Sequence, residues 1–319
     1  MTILIILFIL VILCVVMLLG PRVQINMNLR SFNLPEDLDE YLKTSEAQYD
    51  DILPNTEKTI IWADPKKKQK TPVSIIYLHG FSATRQETAP LSDLVARELG
   101  ANLFYTRLSG HGRSSQAMGA ATVNEWMNDT VEAFEIGHRI GEKVLVISSS
   151  TGGTLSTWLA TLVESDDVLA YIMVSPNFLP NHPIAKILTW PWMHLIMPLF
   201  YGKTWRWWPG KLREGQYWTT SYPIQVIFQM TALVQFVRRA DVRKVTTPLQ
   251  VFLSKQDQIV NSEETEKMYD RFGSLVKQKI YIEDAEHGQH HVIAGDILSP
   301  NTTERIAKMM IEFVTPLLA

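Results

Sequence analysis

The chain has 319 residues, which is long enough for one large α/β domain with an insertion or for two ordinary domains. Hydrophobic residues make up 46% and charged residues 20%, a composition that excludes global disorder and a multi-pass membrane protein. The formal net charge of −3 gives no basic field and so excludes nucleic acid as a partner, and the single cysteine, Cys14, excludes an intramolecular disulfide.

The chain begins with an apolar run, residues 1–19, that carries no charged side chain. As a helix with a rise of about 1.5 Å per residue, this run reaches roughly the thickness of the hydrocarbon core of a bilayer. It lacks the basic start and the cleavage site of a secretory signal. The sequence therefore predicts a transmembrane anchor over residues 1–20 and a membrane localisation, with residues 1–19 in contact with the membrane. Lys and Arg follow the run at Arg22, Arg30 and Lys43 and do not precede it, which tilts the prediction toward a cytoplasmic catalytic domain.

Residues 21–57 are polar and contain prolines, which predicts a connector with one short helix. After this segment, short β-branched runs alternate with longer segments of helical period, as is typical of strand–helix units in a parallel sheet. Strands are predicted near 58–63, 73–78, 102–106, 143–148, 168–174, 248–253 and 277–282. Helices are predicted near 84–99, 123–140, 152–163, 262–273 and 302–316.

The strand–helix alternation stops between residues 177 and 242, which predicts an insertion that divides the core into residues 58–176 and 243–319. Six of the nine tryptophans lie in this insertion: Trp190, Trp192, Trp205, Trp207, Trp208 and Trp218. Such an aromatic segment suits a cap that binds an acyl chain. The alternative is that these side chains only pack the cap against the core.

A strand that ends in three consecutive serines carries the candidate nucleophile. The apolar run Val144–Ile147 leads into the small residues Ser148–Gly153 and then into a helical segment. Strand, tight turn and helix form the setting of a nucleophile elbow. Because the turn tolerates only small residues two positions before and after the nucleophile, Ser150, with Ser148 and Gly152 on its flanks, is the predicted nucleophile. The alternative is a serine-rich turn that caps the helix.

A serine hydroxyl is a weak nucleophile at neutral pH, so it needs a histidine base and a carboxylate that orients the base. In folds that carry a nucleophile elbow, the three residues follow one another along the chain in the order Ser, acid, His. Asp257 follows the predicted strand 248–253 and is the predicted acid. Its alternative role is to cap the helix that begins near Ser262, although Asn261 or Ser262 is better placed to do so.

The loop after the last predicted strand offers three candidate bases, His287, His290 and His291. The apolar pair Val292–Ile293 could anchor the loop and aim the ring of His291 at the elbow, so His291 is preferred and the other two stay open. A metal site is disfavoured because no second cluster of ligands is evident in the sequence.

Acyl transfer also needs donors for the developing oxyanion, which are usually two backbone N–H groups. One is predicted at Thr151, directly after the nucleophile, and the other at Phe81, in the turn that follows the predicted strand 73–78. A plain strand-to-helix turn is the alternative for the second. The next such turn, Arg107–Ser114, is interpreted as structural rather than as pocket lining.

Taken together, these motifs resemble α/β-hydrolases of the monoacylglycerol-lipase and bacterial-carboxylesterase type. The resemblance covers about residues 73–316 and departs from the family pattern at Ser148, where glycine is usual. It rests on Leu78–Phe81, Ser109–Gly112, Trp126 with Asp129, Ser148–Gly152, Asp257 with Val260, and His291–Ile293. It implies an α/β-hydrolase fold with a mostly parallel sheet and a helical cap, a triad of Ser150, Asp257 and His291, and no cofactor.

The sequence thus predicts a serine hydrolase, a carboxylesterase or a monoacylglycerol-lipase-like enzyme, that cleaves a small-molecule carboxylic ester of an acyl or lipid-like kind. Two other functions remain open. A serine aminopeptidase or amidase would use the same triad together with a carboxylate in the cap that holds the substrate amine, and Glu214 is the candidate. A non-catalytic binding module would normally lack part of the triad, which this chain retains.

Overall fold

A seven-stranded sheet organises the chain in the computed structural model, which describes residues 2–318. The strands of this sheet are β1 (Thr59–Ile61), β2 (Thr71–Leu78), β3 (Asn102–Tyr105), β4 (Gly141–Ser149), β5 (Val168–Val174), β8 (Leu249–Leu253) and β9 (Lys277–Tyr281). They lie in the order β1-β3-β2-β4-β5-β8-β9; β1 runs antiparallel to β3, and all other neighbours are parallel. The prediction of a mostly parallel sheet is confirmed.

The central strands are buried on both faces because helices cover the sheet on both sides. In β2, Ile76 and Leu78 point into one apolar core and Ile75 and Tyr77 into the other, and all four are fully buried. Continuous apolar runs of this kind are characteristic of parallel strands. The helices of the core are α3 (Leu91–Leu99), α4 (Ser115–Ala120), α5 (Val123–Ile140), α6 (Thr151–Ala160), α10 (Ser262–Arg271) and α11 (Pro300–Val314).

The predicted helix over 84–99 is split in the structure. A short 3-10 turn, Arg85–Glu87, comes first, and α3 begins only at Leu91. Pro90 explains the break, because proline lacks an N–H and disfavours helical backbone in the residue before it. Residues 84–90 are therefore a loop that follows β2 at the carboxyl edge of the sheet.

Between β5 and β8 the chain forms helices and a small hairpin that pack over the carboxyl edge of the sheet. These elements are α7 (Met193–Tyr201), β6 (Thr204–Arg206), α8 (Leu212–Tyr217), β7 (Ser221–Pro223) and α9 (Gln225–Arg238), with β6 antiparallel to β7. One backbone hydrogen bond of 2.7 Å, from the Thr219 N–H to the Ser82 carbonyl, joins this cap segment to the turn after β2.

The N-terminal part of the chain corrects one prediction. Its first helix, α1 (Thr2–Leu19), has 18 residues, and within residues 2–318 no helix is long and apolar enough to cross a membrane. The predicted anchor over residues 1–20 is therefore wrong. The predicted membrane localisation and the contact through residues 1–19 depended on it and lose their basis.

The connector folds back onto the core through α2 (Leu38–Glu46), which Asp37 caps by accepting a hydrogen bond from the Glu40 N–H. At the end of α2, both carboxylate oxygens of Glu46 accept hydrogen bonds of 2.7 and 2.8 Å from the buried guanidinium of Arg107. Charge-assisted bidentate pairs of this kind fix orientation as well as distance. The pair therefore joins the connector to the turn that follows β3.

Candidate active site

Ser150 occupies the sharp turn between β4 and α6. Its backbone has φ 50° and ψ −115°, a region that non-glycine residues rarely enter and that tends to be found at functional sites. The turn is fixed on both sides, because the Ser150 N–H donates to the Val174 carbonyl and the Ser150 carbonyl accepts from the Asn177 N–H, each at 2.9 Å. Hydrogen bonds to two neighbouring residues therefore hold the strained backbone of Ser150 in place, and its side chain lines a cavity.

The neighbours of Ser150 are small because the turn has no space for larger side chains. A Cβ atom on Gly152 would lie 2.0 Å from the Leu78 carbonyl oxygen, so no side chain fits there. The hydroxyl of Ser148 is fully buried, 3.0 Å from the hydroxyl of Ser156. Serine in place of the usual glycine is accommodated at this position because it has a hydrogen-bond partner.

The structure brings Asp257 and His291 to Ser150 from two loops at the same edge of the sheet. The His291 Nε2 atom lies 2.9 Å from the Ser150 Oγ atom, and the Nδ1 atom lies 2.8 Å from the Asp257 Oδ2 atom. The other oxygen of Asp257 accepts hydrogen bonds from the N–H groups of Ile259 and Val260. Asp257 is not the cap of α10, because Asn261 caps that helix.

The two other histidines of this loop do not reach Ser150. His287 lines the cavity, and its Nδ1 atom accepts the N–H of Val292 at 3.0 Å, so the ring braces the loop that carries His291. Burial lowers the pKa of His287 to about 4, which leaves this ring neutral. His290 lies in the left-handed region, with φ 53°, and forms the turn of the loop.

The charge state of His291 is set by competing effects. Burial disfavours the charged imidazole, but the Asp257 carboxylate, through its charge and hydrogen bond, and the charge of Glu87 together raise the pKa of His291 above its usual value. A base whose protonated form is stabilised is suited to take a proton from a hydroxyl and to hold it.

The turn after β2 carries the predicted oxyanion donor Phe81. In the part of the chain that the structure describes, the N–H groups of Phe81 and Thr151 have no hydrogen-bond acceptor, and both residues line the cavity. His79 holds this turn, because its Nε2 atom accepts the Leu108 N–H at 3.0 Å and its Nδ1 atom lies 2.9 Å from the Gly80 carbonyl. Burial lowers the pKa of His79 to about 4, so the ring is neutral.

The turn after β3 supports the site from behind. The Ser109 N–H donates to Asp129 at 2.6 Å, and the Ser109 carbonyl accepts the indole N–H of Trp126 at 3.0 Å. The rings of His111 and Phe81 lie edge to face, with centroids 6.0 Å apart. These contacts hold the second turn against the first and fit the structural interpretation of this segment.

A cavity of about 880 Å³ opens above Ser150. Four of the six cap tryptophans line it: Trp205, Trp207, Trp208 and Trp218. The other two lie elsewhere. Trp190 lines a separate groove, and Trp192 donates its indole N–H to the Val16 carbonyl of α1 at 2.9 Å. The cap tryptophans thus divide into four that line the cavity and two that lie away from it.

Two buried polar residues of the cavity were missed by sequence reasoning. Glu87 is only 2% exposed, and the sequence had placed it within a helix; Pro90, three residues later, is the signal that it belongs to a loop. Asn177 is 4% exposed, and its Oδ1 atom has no hydrogen-bond partner within residues 2–318. Nothing in the sequence around Asn177 separates it from an ordinary residue at the end of a strand.

Comparison with known proteins gives the family context. Residues 69–291 match the model of the family described as serine aminopeptidase, S33. The thermostable monoacylglycerol lipase of Bacillus sp. (strain H-257) is 30% identical over 98 residues, which are 31% of this chain and 39% of that protein. The match therefore spans well under half of the length of this relative.

Solved structures share the fold. One, described with the metagenome-derived lipolytic enzymes LipS and LipT, has a TM-score of 0.68 and 19% identity and covers 83% of this chain and 99% of its own. The monoacylglycerol lipase of Paleococcus ferrophilus has a TM-score of 0.61 at 14% identity, covering 82% and 99% of the two chains. A soluble variant of the monoglyceride lipase of Saccharomyces cerevisiae has a TM-score of 0.61 at 15% identity and covers 82% of this chain and 91% of its own. At such identities the likeness shows the fold alone, and it confirms the predicted α/β-hydrolase fold.

Proposed function

Because the chain belongs to the serine aminopeptidase S33 family of the α/β-hydrolase superfamily, we propose that it is a serine hydrolase that cleaves carboxylic esters through an acyl-enzyme on Ser150. The observation that carries the proposal is the continuous hydrogen-bonded chain from Ser150 through His291 to Asp257, with distances of 2.9 and 2.8 Å. Nucleophile, base and orienting acid within hydrogen-bond reach form the arrangement that acyl transfer requires.

In the proposed mechanism the Ser150 Oγ atom attacks the ester carbonyl carbon while the Nε2 atom of His291 takes the hydroxyl proton. Asp257 accepts the Nδ1–H hydrogen bond, fixes the tautomer and stabilises the imidazolium that forms. The same proton then passes to the departing alkoxide, which leaves as an alcohol. Water, activated by the neutral imidazole, hydrolyses the acyl-enzyme in the second half of the cycle.

The N–H groups of Phe81 and Thr151 are the proposed donors to the oxyanion. Both residues line the cavity, and neither N–H is engaged by another residue of the described chain, so both are available to a negative oxygen. Donors that are fixed before the reaction starts stabilise the transition state without reorganisation. His79 contributes indirectly, because it holds the turn that presents Phe81.

The lining of the cavity supports an ester with an apolar acyl group as the substrate class. Tryptophan rings offer large apolar surfaces that exclude water from an acyl chain. The relatives described as lipases and monoacylglycerol lipases fit the same class of substrate.

The amide alternative depends on Glu214, the acidic residue of the cap that the sequence singled out. Glu214 lines the cavity, but its Oε2 atom accepts the N–H groups of Gly210 and Lys211 at 2.6 and 3.3 Å. A carboxylate engaged in capping α8 is poorly suited to hold a substrate ammonium group. This favours ester hydrolysis over aminopeptidase activity.

The test uses the full chain with p-nitrophenyl esters, amino-acid p-nitroanilides and a fluorophosphonate probe. We expect ester turnover well above anilide turnover, and covalent labelling at Ser150 that is lost together with turnover in Ser150→Ala. Ser149→Ala is the matched control and should keep the label. Labelling at Ser149 would contradict the assignment of the nucleophile, and faster turnover of the anilides would favour the amidase.

A further inference from the structure

A second buried carboxylate, that of Glu87, lies beside the proposed triad. We propose that Glu87 is a positioning residue of the ester-hydrolysing site described above, on which this inference rests. Its carboxylate holds the oxyanion turn in place and, as an anion, favours the protonated form of His291.

The first part of the proposal rests on the contacts of one carboxylate oxygen. The Glu87 Oε1 atom accepts the Gly80 N–H at 2.6 Å and the Tyr77 hydroxyl at 2.9 Å. The Tyr77 oxygen in turn accepts the hydroxyl of Thr88 at 2.7 Å. Gly80 directly precedes Phe81, so this network fixes the peptide next to the proposed oxyanion donor.

The other oxygen brings the carboxylate close to the nucleophile. A Cβ atom on Gly80 would lie 2.8 Å from the Glu87 Oε2 atom and 3.1 Å from the Cβ atom of Ser150. The carboxylate and the nucleophile therefore flank the same glycine, and a side chain at position 80 would displace one of them. This explains why glycine occupies the turn and why Glu87 lines the catalytic cavity.

The surroundings make the charge of Glu87 depend on that of His291. Burial raises the pKa of Glu87 to about 7, while the Gly80 N–H, the Tyr77 hydroxyl, a charged His291 and the Ser149 hydroxyl oppose the rise. The titratable groups that face Glu87 are Tyr77, from β2, and His291, from the loop after β9; Asp257 lies beyond the imidazole.

The consequence for the reaction concerns one proton. When the Ser150 hydroxyl gives its proton to the Nε2 atom of His291, the new imidazolium is balanced by the Asp257 carboxylate, and Glu87 supplies a second negative charge. The proton then leaves with the alkoxide, so His291 loses its positive charge. It no longer offsets the cost of burying the Glu87 carboxylate. Glu87 thus acts through His291 and the oxyanion turn and does not touch the reacting carbon.

The decisive variant is Glu87→Gln, which keeps the shape and an oxygen acceptor but removes the charge. Loss of a nearby opposite charge lowers the pKa of a base, typically by about one unit. We therefore expect the pKa of His291, followed by NMR titration and assigned with His291→Asn, to fall by about one pH unit, with the acid limb of kcat/KM moving equally. The plateau kcat should fall by about tenfold with little change in KM. Glu286→Gln is the matched control, because Glu286 lines the same cavity but is exposed.

An unchanged His291 pKa in Glu87→Gln, or an equal change in Glu286→Gln, overturns the inference. If Glu87→Gln does not fold, Tyr77→Phe decides: it removes one donor from the carboxylate, favours its protonation, and should lower the pKa of His291 by a smaller amount. An unchanged value there also overturns the inference. Wild-type protein that neither turns over esters nor reacts with a fluorophosphonate defeats the proposed function instead, and the NMR titration still decides the role of Glu87.

Discussion

Replacing His291 by Ala removes both hydrogen bonds that join Ser150 to Asp257 and leaves the hydroxyl with no base within hydrogen-bond reach. In a serine triad, loss of the nucleophile or the base lowers kcat by about a million-fold, or about 8 kcal/mol. The losses do not add, because the residues act as a unit. We expect His291→Ala, Ser150→Ala and the double variant to lose the same factor, within about tenfold of one another. A residual rate of about a thousand-fold over water should remain from the oxyanion donors and binding.

The assay is the initial rate of p-nitrophenyl butyrate hydrolysis per mole of protein, with the active fraction of the wild-type preparation counted by a fluorophosphonate and the folding of each variant checked by its melting temperature. His287→Ala should lose only about fivefold, the worth of its one hydrogen bond to the Val292 N–H, about 1 kcal/mol. His290→Asn should stay close to wild type, because asparagine tolerates the left-handed backbone at that position. An inactive His290→Asn variant, or losses that multiply in the double variant, would refute the reasoning.

Three further predictions follow from the same geometry. Because the pKa of His291 is raised and the base must be neutral, kcat/KM should rise with pH through a midpoint above 6.5, and a midpoint below that value would contradict the electrostatics. Trp207→Ala should shift the preferred ester chain length, with each buried methylene contributing at most about 0.8 kcal/mol, whereas Trp192→Ala should leave the profile unchanged; identical profiles for both would show that the cap aromatics only pack. Gly152→Ala should destabilise the fold by about 3 kcal/mol or more, because its Cβ meets backbone, while Gly288→Ala, with open space around it, should leave the melting temperature unchanged.

The sequence predicted the elements of the core well because two local signals agreed. The predicted helix 123–140 matches α5, which has a capping box formed by Thr122 and Glu125 and an apolar face at helical spacing. The predicted helix 84–99 was wrong at its start, because the helical spacing of its apolar residues continues through Pro90. The backbone preference of that proline sets the start of α3, and the spacing of apolar residues does not reveal it.

The candidate triad could be predicted because chain order in a doubly wound sheet carries spatial information. Residues that follow the carboxyl ends of parallel strands lie at one edge of the sheet, so Ser150 after β4 and Asp257 after β8 were expected at the same edge. The choice among three histidines depended on the course of a loop, which periodicity does not encode. The structure places the ring of His291 at Ser150, and its catalytic role stays a prediction.

The division of the tryptophans was beyond the sequence for a different reason. Trp205 and Trp207 lie over the cavity because β6 and β7 form a hairpin, in which Trp205 pairs with Tyr222 and the Trp207 N–H bonds to the Thr220 carbonyl. That hairpin joins segments separated by a helix. Its pairing is a tertiary contact that short-range patterns do not specify.

The charge of Glu87 costs stability, and its proposed role in the site gives a reason for keeping it. A buried carboxylate is costly in an apolar interior, and its hydrogen-bond donors offset only part of that cost. If its sole task were to tie Gly80 and Tyr77 together, a neutral side chain of the same shape would serve with less desolvation. Its nearness to Ser150 and its coupling to His291 give the charge a task that a neutral amide lacks. Perturbed carboxylates concentrate at functional sites for this reason, so the cost of burying Glu87 is itself an argument that the cavity above Ser150 is where the chemistry occurs.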